Sequence, residues 1–346
     1  MRAAFYKGPG VLAIEETPLP LPGEGDVLLK VQFCGICGTD LHEFESGRLF
    51  YGPERPLGTV FGHELSAKVV ALGPGVEGVT PGDLVAVNPA ENCQECSFCL
   101  DGDDHLCQHS RGAVGYSRPG GLAEYTIAPA RRCVVVPPGT PADRVALTEP
   151  FAVALHAVTR GAVREGETAF VAGAGPIGQL TVLALKQVGA GRIIVSEPAA
   201  GRRERAQRLG ADVVIDPVKD NAGAAVKELT AARGADISFE CVGHAAPLDD
   251  CFAATRRGGR IVIAGVFQAP YSVDFARLTL AEHQLIGALG YREEFARAAA
   301  LISFGAVDVS PVISHRIPLD WAPEAFLAII GDRGAHEKVL VQPSLA

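Results

Sequence analysis

The sequence has no long apolar run and no block of basic residues. The most membrane-like window, residues 169–185, is interrupted by three glycines, a proline and a glutamine and is stopped by Lys186, so it falls short of a bilayer span. The first residues, Met1-Arg2-Ala3-Ala4-Phe5-Tyr6-Lys7-Gly8-Pro9, lack the apolar stretch of a secretory signal, and a soluble, cytoplasmic protein without a membrane partner is expected. Lysine and arginine number 31 against 40 acidic residues, a net charge of −9. That argues against a nucleic-acid or anionic-membrane partner, although net charge does not exclude a local patch. Repeats and low-complexity tracts are missing too. With 48% hydrophobic residues and 40 glycines, the composition fits a glycine-rich α/β protein and not a disordered one. Nine cysteines is an odd count, and four of them crowd between positions 93 and 107, which points to metal and not to disulfides.

At 346 residues the chain exceeds the size at which single cores stop growing, so two domains are expected. Residues 3–33 alternate strand-like runs with proline and glycine, and residues 65–73 and 83–87 read as further strands. The first 150 residues therefore suggest an irregular, mostly β domain. From Glu167 the rhythm changes. Strand-like residues 168–172, 192–197, 212–216, 236–241 and 259–265 alternate with helical segments, clearest at 201–209 and 222–233. This is the pattern of a parallel, doubly wound sheet, which residues 284–289 would close. Helices at 293–304 and 323–330 and a last strand at 338–342 do not extend the alternation and would return to the first domain. The expected division is 1–152 with 291–346, and 153–290.

Within the second domain, Val171-Ala172-Gly173-Ala174-Gly175-Pro176-Ile177-Gly178 lies on a strand-to-helix turn. Gly173 would permit the tight turn, Gly175 would let backbone approach a pyrophosphate, and Gly178 would let helix and strand pack closely. A glycine-rich turn without a ligand is the plainer alternative. Glu197 closes the next strand about 20 positions on, where a carboxylate accepts bonds from both ribose hydroxyls and repels a 2′-phosphate. NAD is the cofactor this favours. Arg202 and Arg203 just beyond are either compensating charge at that cofactor site or a solvated helix face.

Cys93-Gln94-Glu95-Cys96-Ser97-Phe98-Cys99 followed by Cys107 lets four thiolates converge on one ion with no open position, as in a structural zinc site. A nucleic-acid-binding zinc ribbon or an iron–sulfur ligand set would be the alternatives, and Asp101, Asp103 and Asp104 argue against the ribbon. A closed site does no chemistry, so an enzyme needs another ion. Cys34, Cys37, His63 and Glu149 are candidate ligands, and each has an ordinary reading: a redox pair, a core histidine, a helix-start acid.

Taken in order, Gly35-Ile36-Cys37-Gly38-Thr39-Asp40, Gly62-His63-Glu64, the four-cysteine loop, Gly120-Gly121-Leu122-Ala123-Glu124-Tyr125, Glu149-Pro150 and residues 171–178 resemble the zinc-dependent medium-chain alcohol and polyol dehydrogenases over essentially the whole chain. The likeness leans to the butanediol, sorbitol and threonine dehydrogenase branch. It implies a GroES-like catalytic domain beside a Rossmann domain, with the active site in the cleft between them. It implies NAD and two zinc ions per chain. Cys37 and His63 would hold the catalytic ion, with Glu64 or Glu149 as the carboxylate ligand, while Cys34 would stay a free thiol. The zinc would lower the pKa of a substrate hydroxyl, Thr39, the ribose hydroxyls and His42 would relay its proton, and the hydride would pass to the nicotinamide. The implied substrate is a small secondary alcohol or vicinal diol, best 2,3-butanediol or acetoin. Phe44, Phe50 and Tyr51 would either wall its pocket or serve as packing. Threonine or a sugar alcohol is the rival substrate, and a non-catalytic NAD- and zinc-binding sensor is the rival class. A homodimer or homotetramer is implied, with the strand near Leu285 at a subunit edge.

Overall fold

The computed structural model describes residues 1–49, 52–110 and 112–344. The chain divides into two units, one of residues 1–149 with 295–346 and one of residues 150–294. Among the described residues no helix is long and apolar enough to cross a membrane.

The unit of residues 150–294 is built on strands that must be apolar on both faces. Ala169, Phe170, Val171, Ala172, Ile193, Ile194 and Val195 are all buried, the pattern that a helix-covered parallel sheet requires. Its six parallel strands lie in the order Val213–Ile215, Arg192–Ser196, Thr168–Ala172, Ala235–Glu240, Thr255–Ile263 and Gln284–Gly287. Counted along the chain this is 3-2-1-4-5-6, the doubly wound arrangement. The strand order reverses between Thr168–Ala172 and Ala235–Glu240, where such sheets open a crevice at the carboxyl ends of their strands. Phe170, Ile194, Ile215, Val226, Leu248, Phe252 and Ile261 share one core, each stabilising the fold by about 1.5–3 kcal/mol on leaving water. The helix expected over 222–233 ends at Leu229. Thr230 turns its hydroxyl back onto the Val226 carbonyl at 2.7 Å and accepts the Gly234 amide at 2.8 Å, while Ala231 and Ala232 take φ of 50° and 65°.

In the unit of residues 1–149 and 295–346, six strands of a seven-stranded sheet run in the order Ile313–Pro318, Lys338–Gln342, Asp26–Gly35, Glu64–Leu72, Leu84–Val87 and Cys133–Val135. The seventh, Tyr125–Pro129, also pairs with Asp26–Gly35. Gly35 lies opposite Glu64 on one side and Leu340 on the other, both antiparallel. The end of one strand is therefore flanked by the starts of two others, and these begin with Glu64 and Lys338. Phe44 is 1% exposed and meets Phe326 at 5.2 Å between ring centroids, and Phe326 meets Phe61 at 5.6 Å. Phe44 is thus core and does not wall a pocket. Phe50 and Tyr51 lie outside the described residues.

Candidate active site and zinc centres

Where Asp26–Gly35 ends, Cys37 becomes the N-cap of the helix Gly38–Ser46 and donates its amide to Asp40 Oδ2 at 3.0 Å. The other Asp40 oxygen lies 3.3 Å from His63 Nδ1, with both side chains buried. Burial alone would raise the Asp40 carboxyl, but His63 and the Cys37 amide outweigh it and hold the group below the usual carboxylate range. A carboxylate behind one imidazole nitrogen fixes the ring and leaves the other to serve as a metal ligand. Cys37, His63 and Glu64 each offer one ligand atom within 4.8 Å of the others. One thiol, one imidazole and one carboxylate form a donor set that suits zinc and leaves a fourth position for substrate.

Glu64 is 1% exposed, and both its oxygens accept from Lys338 Nζ at 2.7 Å; the same ammonium donates to the Ile36 carbonyl at 3.1 Å. Burial pushes the Lys338 ammonium down, but Glu64, then Cys37 and Glu149, more than offset this and hold it above the usual lysine value. Glu149, in the first turn of the helix Thr148–Arg160, stands outside the 4.8 Å cluster but near enough to act on Lys338. Thr39 Oγ1 is 3.3 Å from the Tyr116 hydroxyl, which is 3.4 Å from His63 Nε2. Burial raises the Tyr116 phenol far above the ordinary range, so it is a neutral hydroxyl. His42 is partly buried, and burial and Arg333 hold its imidazole towards the neutral form. Asp40, Lys338 and Tyr116 were not expected from the sequence. Asp40 carried a signal, standing three residues after a cysteine at a helix start; Lys338 and Tyr116 carried none.

The four-cysteine loop brings its sulfurs together. The separations are 3.7 Å for Cys93–Cys99, 3.5 Å for Cys96–Cys99, 3.9 Å for Cys96–Cys107 and 3.5 Å for Cys93–Cys107. Tetrahedral zinc with bonds near 2.3 Å requires edges of about 3.8 Å. The Cys93 and Cys96 amides also point at sulfurs, at 3.4 and 3.3 Å. Backbone amides bring the Cys96 and Cys107 thiols down, towards the thiolate that a metal requires, while burial pushes Cys99 up. The residues fit a structural zinc.

In the other unit, Gly173 has φ of 97° and donates its amide to the Ser196 carbonyl at 2.8 Å. A Cβ on Gly178 would fall 2.0 Å from the Gly173 carbonyl oxygen, so the helix Pro176–Gln187, with Pro176 and Ile177 in its first turn, can approach the strand only with glycine there. A Cβ on Gly175 would meet only Arg202 Nη1, at 3.7 Å, which leaves the space before the turn open to a ligand. Glu197 is 4% exposed and its two oxygens accept the amides of Ala174 and Ala199 at 2.8 and 2.9 Å. It therefore ties the glycine turn to the next strand as well as marking its end. Arg203 bonds the Glu197 carbonyl at 2.7 Å and pairs with Asp216 at 3.1 Å, so its charge is already matched.

A zinc-binding dehydrogenase family model matches residues 176–303, and an alcohol dehydrogenase GroES-like domain model matches residues 23–138. Human sorbitol dehydrogenase is 33% identical over 92% of this chain and 90% of its own length. The L-threonine 3-dehydrogenase of Pyrococcus horikoshii is 34% identical over 94% of each chain. Among solved structures, the 2R,3R-butanediol dehydrogenase of Bacillus subtilis superposes with a TM-score of 0.90 at 30% identity over 99% of each chain. A Sinorhizobium meliloti protein crystallised with NADP also gives a TM-score of 0.90, at 31% identity over 99% of each chain. Motif order, both donor sets, the doubly wound sheet and these matches agree, and the chain belongs to the zinc-dependent medium-chain alcohol and polyol dehydrogenase family.

Proposed function

We propose that the protein reversibly oxidises a small secondary alcohol or vicinal diol, with 2,3-butanediol and acetoin as the preferred pair, and passes the hydride to NAD. The observation that carries this reading is the convergence of Cys37, His63 and Glu64 beside the Thr39 hydroxyl. Those three residues would hold a catalytic zinc, with Glu149 the alternative carboxylate, and Cys93, Cys96, Cys99 and Cys107 a structural one. Residues 173–178, Glu197 and Arg202 would hold NAD. When bound, the catalytic zinc supplies a Lewis acid for the alcohol oxygen and NAD a hydride acceptor.

The chain's own groups orient and move the proton. Asp40 fixes the His63 ring, Lys338 positions Glu64 by donating to both its oxygens, and Thr39 Oγ1 takes the proton of the substrate hydroxyl as it gives up its own hydroxyl proton towards His42. His42 is the terminal acceptor, a role that its lowered pKa favours by keeping it neutral near pH 7. NAD is preferred over NADP because Glu197 repels a 2′-phosphate and Arg203 is engaged by Asp216. Nine unpaired thiols fit the reducing cytoplasm. A homodimer or homotetramer formed at the exposed edge strand Gln284–Gly287, where Leu285 is 40% exposed, completes the proposal.

Threonine and sorbitol are the second reading, favoured by relatives at 34% and 33% identity that carry those names. The test is a turnover screen of 2,3-butanediol, sorbitol and L-threonine with NAD and NADP. Highest kcat/KM on the diol with NAD supports the proposal; activity on threonine with none on the diol reverses it, and no turnover of any substrate favours a sensor.

A further inference from the structure

We propose that Tyr116 determines substrate specificity: its hydroxyl and that of Thr39 form a two-point grip for an alcohol with a second oxygen on the neighbouring carbon. The proposal rests on the dehydrogenase reading above and assigns the residue that selects within it. The two hydroxyl oxygens lie 3.3 Å apart. The oxygens of a gauche vicinal diol are separated by about 3 Å, so each can meet one of these hydroxyls. The Tyr116 hydroxyl is also 3.4 Å from His63 Nε2, the nitrogen left to a metal once Asp40 stands behind Nδ1. Nε2 would not serve both a metal and a phenol, so a metal held there would displace this contact of the hydroxyl.

The placement of Tyr116 is built. Its ring lies over His63 with centroids 4.9 Å apart and an interplanar angle of 31°. The preceding carbonyl, that of Gly115, accepts from Arg55 Nη2 at 2.7 Å. Arg55 is 3% exposed, lies 3.6 Å over the Phe61 ring and pairs with the buried Glu43. Glu43 belongs to Gly38–Ser46, the helix that carries Thr39. One buried guanidinium therefore fixes both the loop bearing Tyr116 and the helix bearing Thr39, which sets the spacing of the two hydroxyls. A phenol placed only for packing on His63 would not need its oxygen at hydrogen-bond range of Thr39.

The test compares the zinc-loaded enzyme with its Tyr116→Phe variant, using NAD with (R,R)-2,3-butanediol and with butan-2-ol, which lacks the second hydroxyl. The ratio of kcat/KM for the diol over butan-2-ol is expected to fall about 10-fold or more. A ratio unchanged within about twofold, whether both rates drop together or neither moves, overturns the proposal. A second readout needs no turnover: quenching of bound NADH fluorescence gives the dissociation constants of 2,3-butanediol and butan-2-ol from the enzyme–NADH complex, where neither alcohol meets a hydride acceptor. The wild type is expected to favour the diol and the variant to lose that preference. If the wild type oxidises neither alcohol, the dehydrogenase reading fails on turnover, while the grip is still judged by binding. A wild-type preference near one refutes it.

Discussion

Replacing Lys338 with methionine probes the site at its most costly contact. The substitution keeps most of the side-chain volume and removes the charge that bonds both Glu64 oxygens, at 2.7 Å each, in a pair where neither residue is more than 3% exposed. Breaking a buried pair from one side costs about 3–5 kcal/mol because a carboxylate stays buried without its partner. For a chain of this size that is roughly 2 °C in Tm per kcal/mol, hence a fall of about 6–10 °C in protein stripped of catalytic zinc. If Glu64 is a zinc ligand, the ion takes over the carboxylate and the loaded variant loses much less. A difference of about 2 kcal/mol between the two forms appears, by linkage, as zinc binding about 30-fold tighter in the variant. Scanning fluorimetry with and without catalytic zinc, together with competitive chelation, measures both quantities. Equal destabilisation of the stripped and loaded forms, with unchanged zinc affinity, would rule out Glu64 as a ligand and shift the carboxylate role to Glu149.

Gly178→Ala forces a Cβ to within 2.0 Å of the Gly173 carbonyl oxygen, so the helix must retreat from the strand. A cost of about 1–3 kcal/mol in stability and at least about a 10-fold rise in the NAD dissociation constant are expected, with zinc content unchanged; titration calorimetry showing the wild-type constant would contradict this. The buried Glu294, 3.2 Å from His156 Nδ1, makes stability depend on pH. Burial raises its carboxyl, but His156 and backbone amides outweigh that and bring it from 4.5 down to about 2. A depressed folded pKa stabilises fully above the unfolded value and is lost as pH falls towards the folded one. The loss is roughly 1 kcal/mol by pH 4 and roughly 2 kcal/mol by pH 3, before discounting for screening. Urea midpoints of the wild type and Glu294→Gln should therefore converge between pH 6 and pH 3; a constant gap would show that Glu294 acts by packing alone.

The doubly wound sheet was legible because its signal is local. Runs such as Ile193-Ile194-Val195 are apolar without alternation, and glycines mark where each strand turns. Helix ends were less so: Thr230 stops a helix whose sequence continues in alanine and arginine, through a hydroxyl that competes for backbone carbonyls. At the candidate site the metal donors advertise themselves by residue type, whereas the groups that position them do not. Lys338 reaches Glu64 only because Lys338–Gln342 pairs with Asp26–Gly35, a contact between opposite ends of the chain. Tyr116 lies in a loop without periodicity and acquires its place from the buried Arg55. Phe44 misleads for the converse reason: an aromatic near ligands suggests a pocket, yet its helix turns it into the core against Phe326.

Cys37, His63 and a glutamate are proposed to hold an ion distinct from the one in the four-cysteine loop. The most direct measurement is zinc per chain by mass spectrometry, paired with NAD-dependent alcohol oxidation, for the wild type and Cys37→Ser. Two zinc ions are expected in the wild type, one in the folded variant, and loss of turnover by about a thousandfold or more. One zinc in the wild type, or a Cys37→Ser enzyme that keeps its activity, would contradict this.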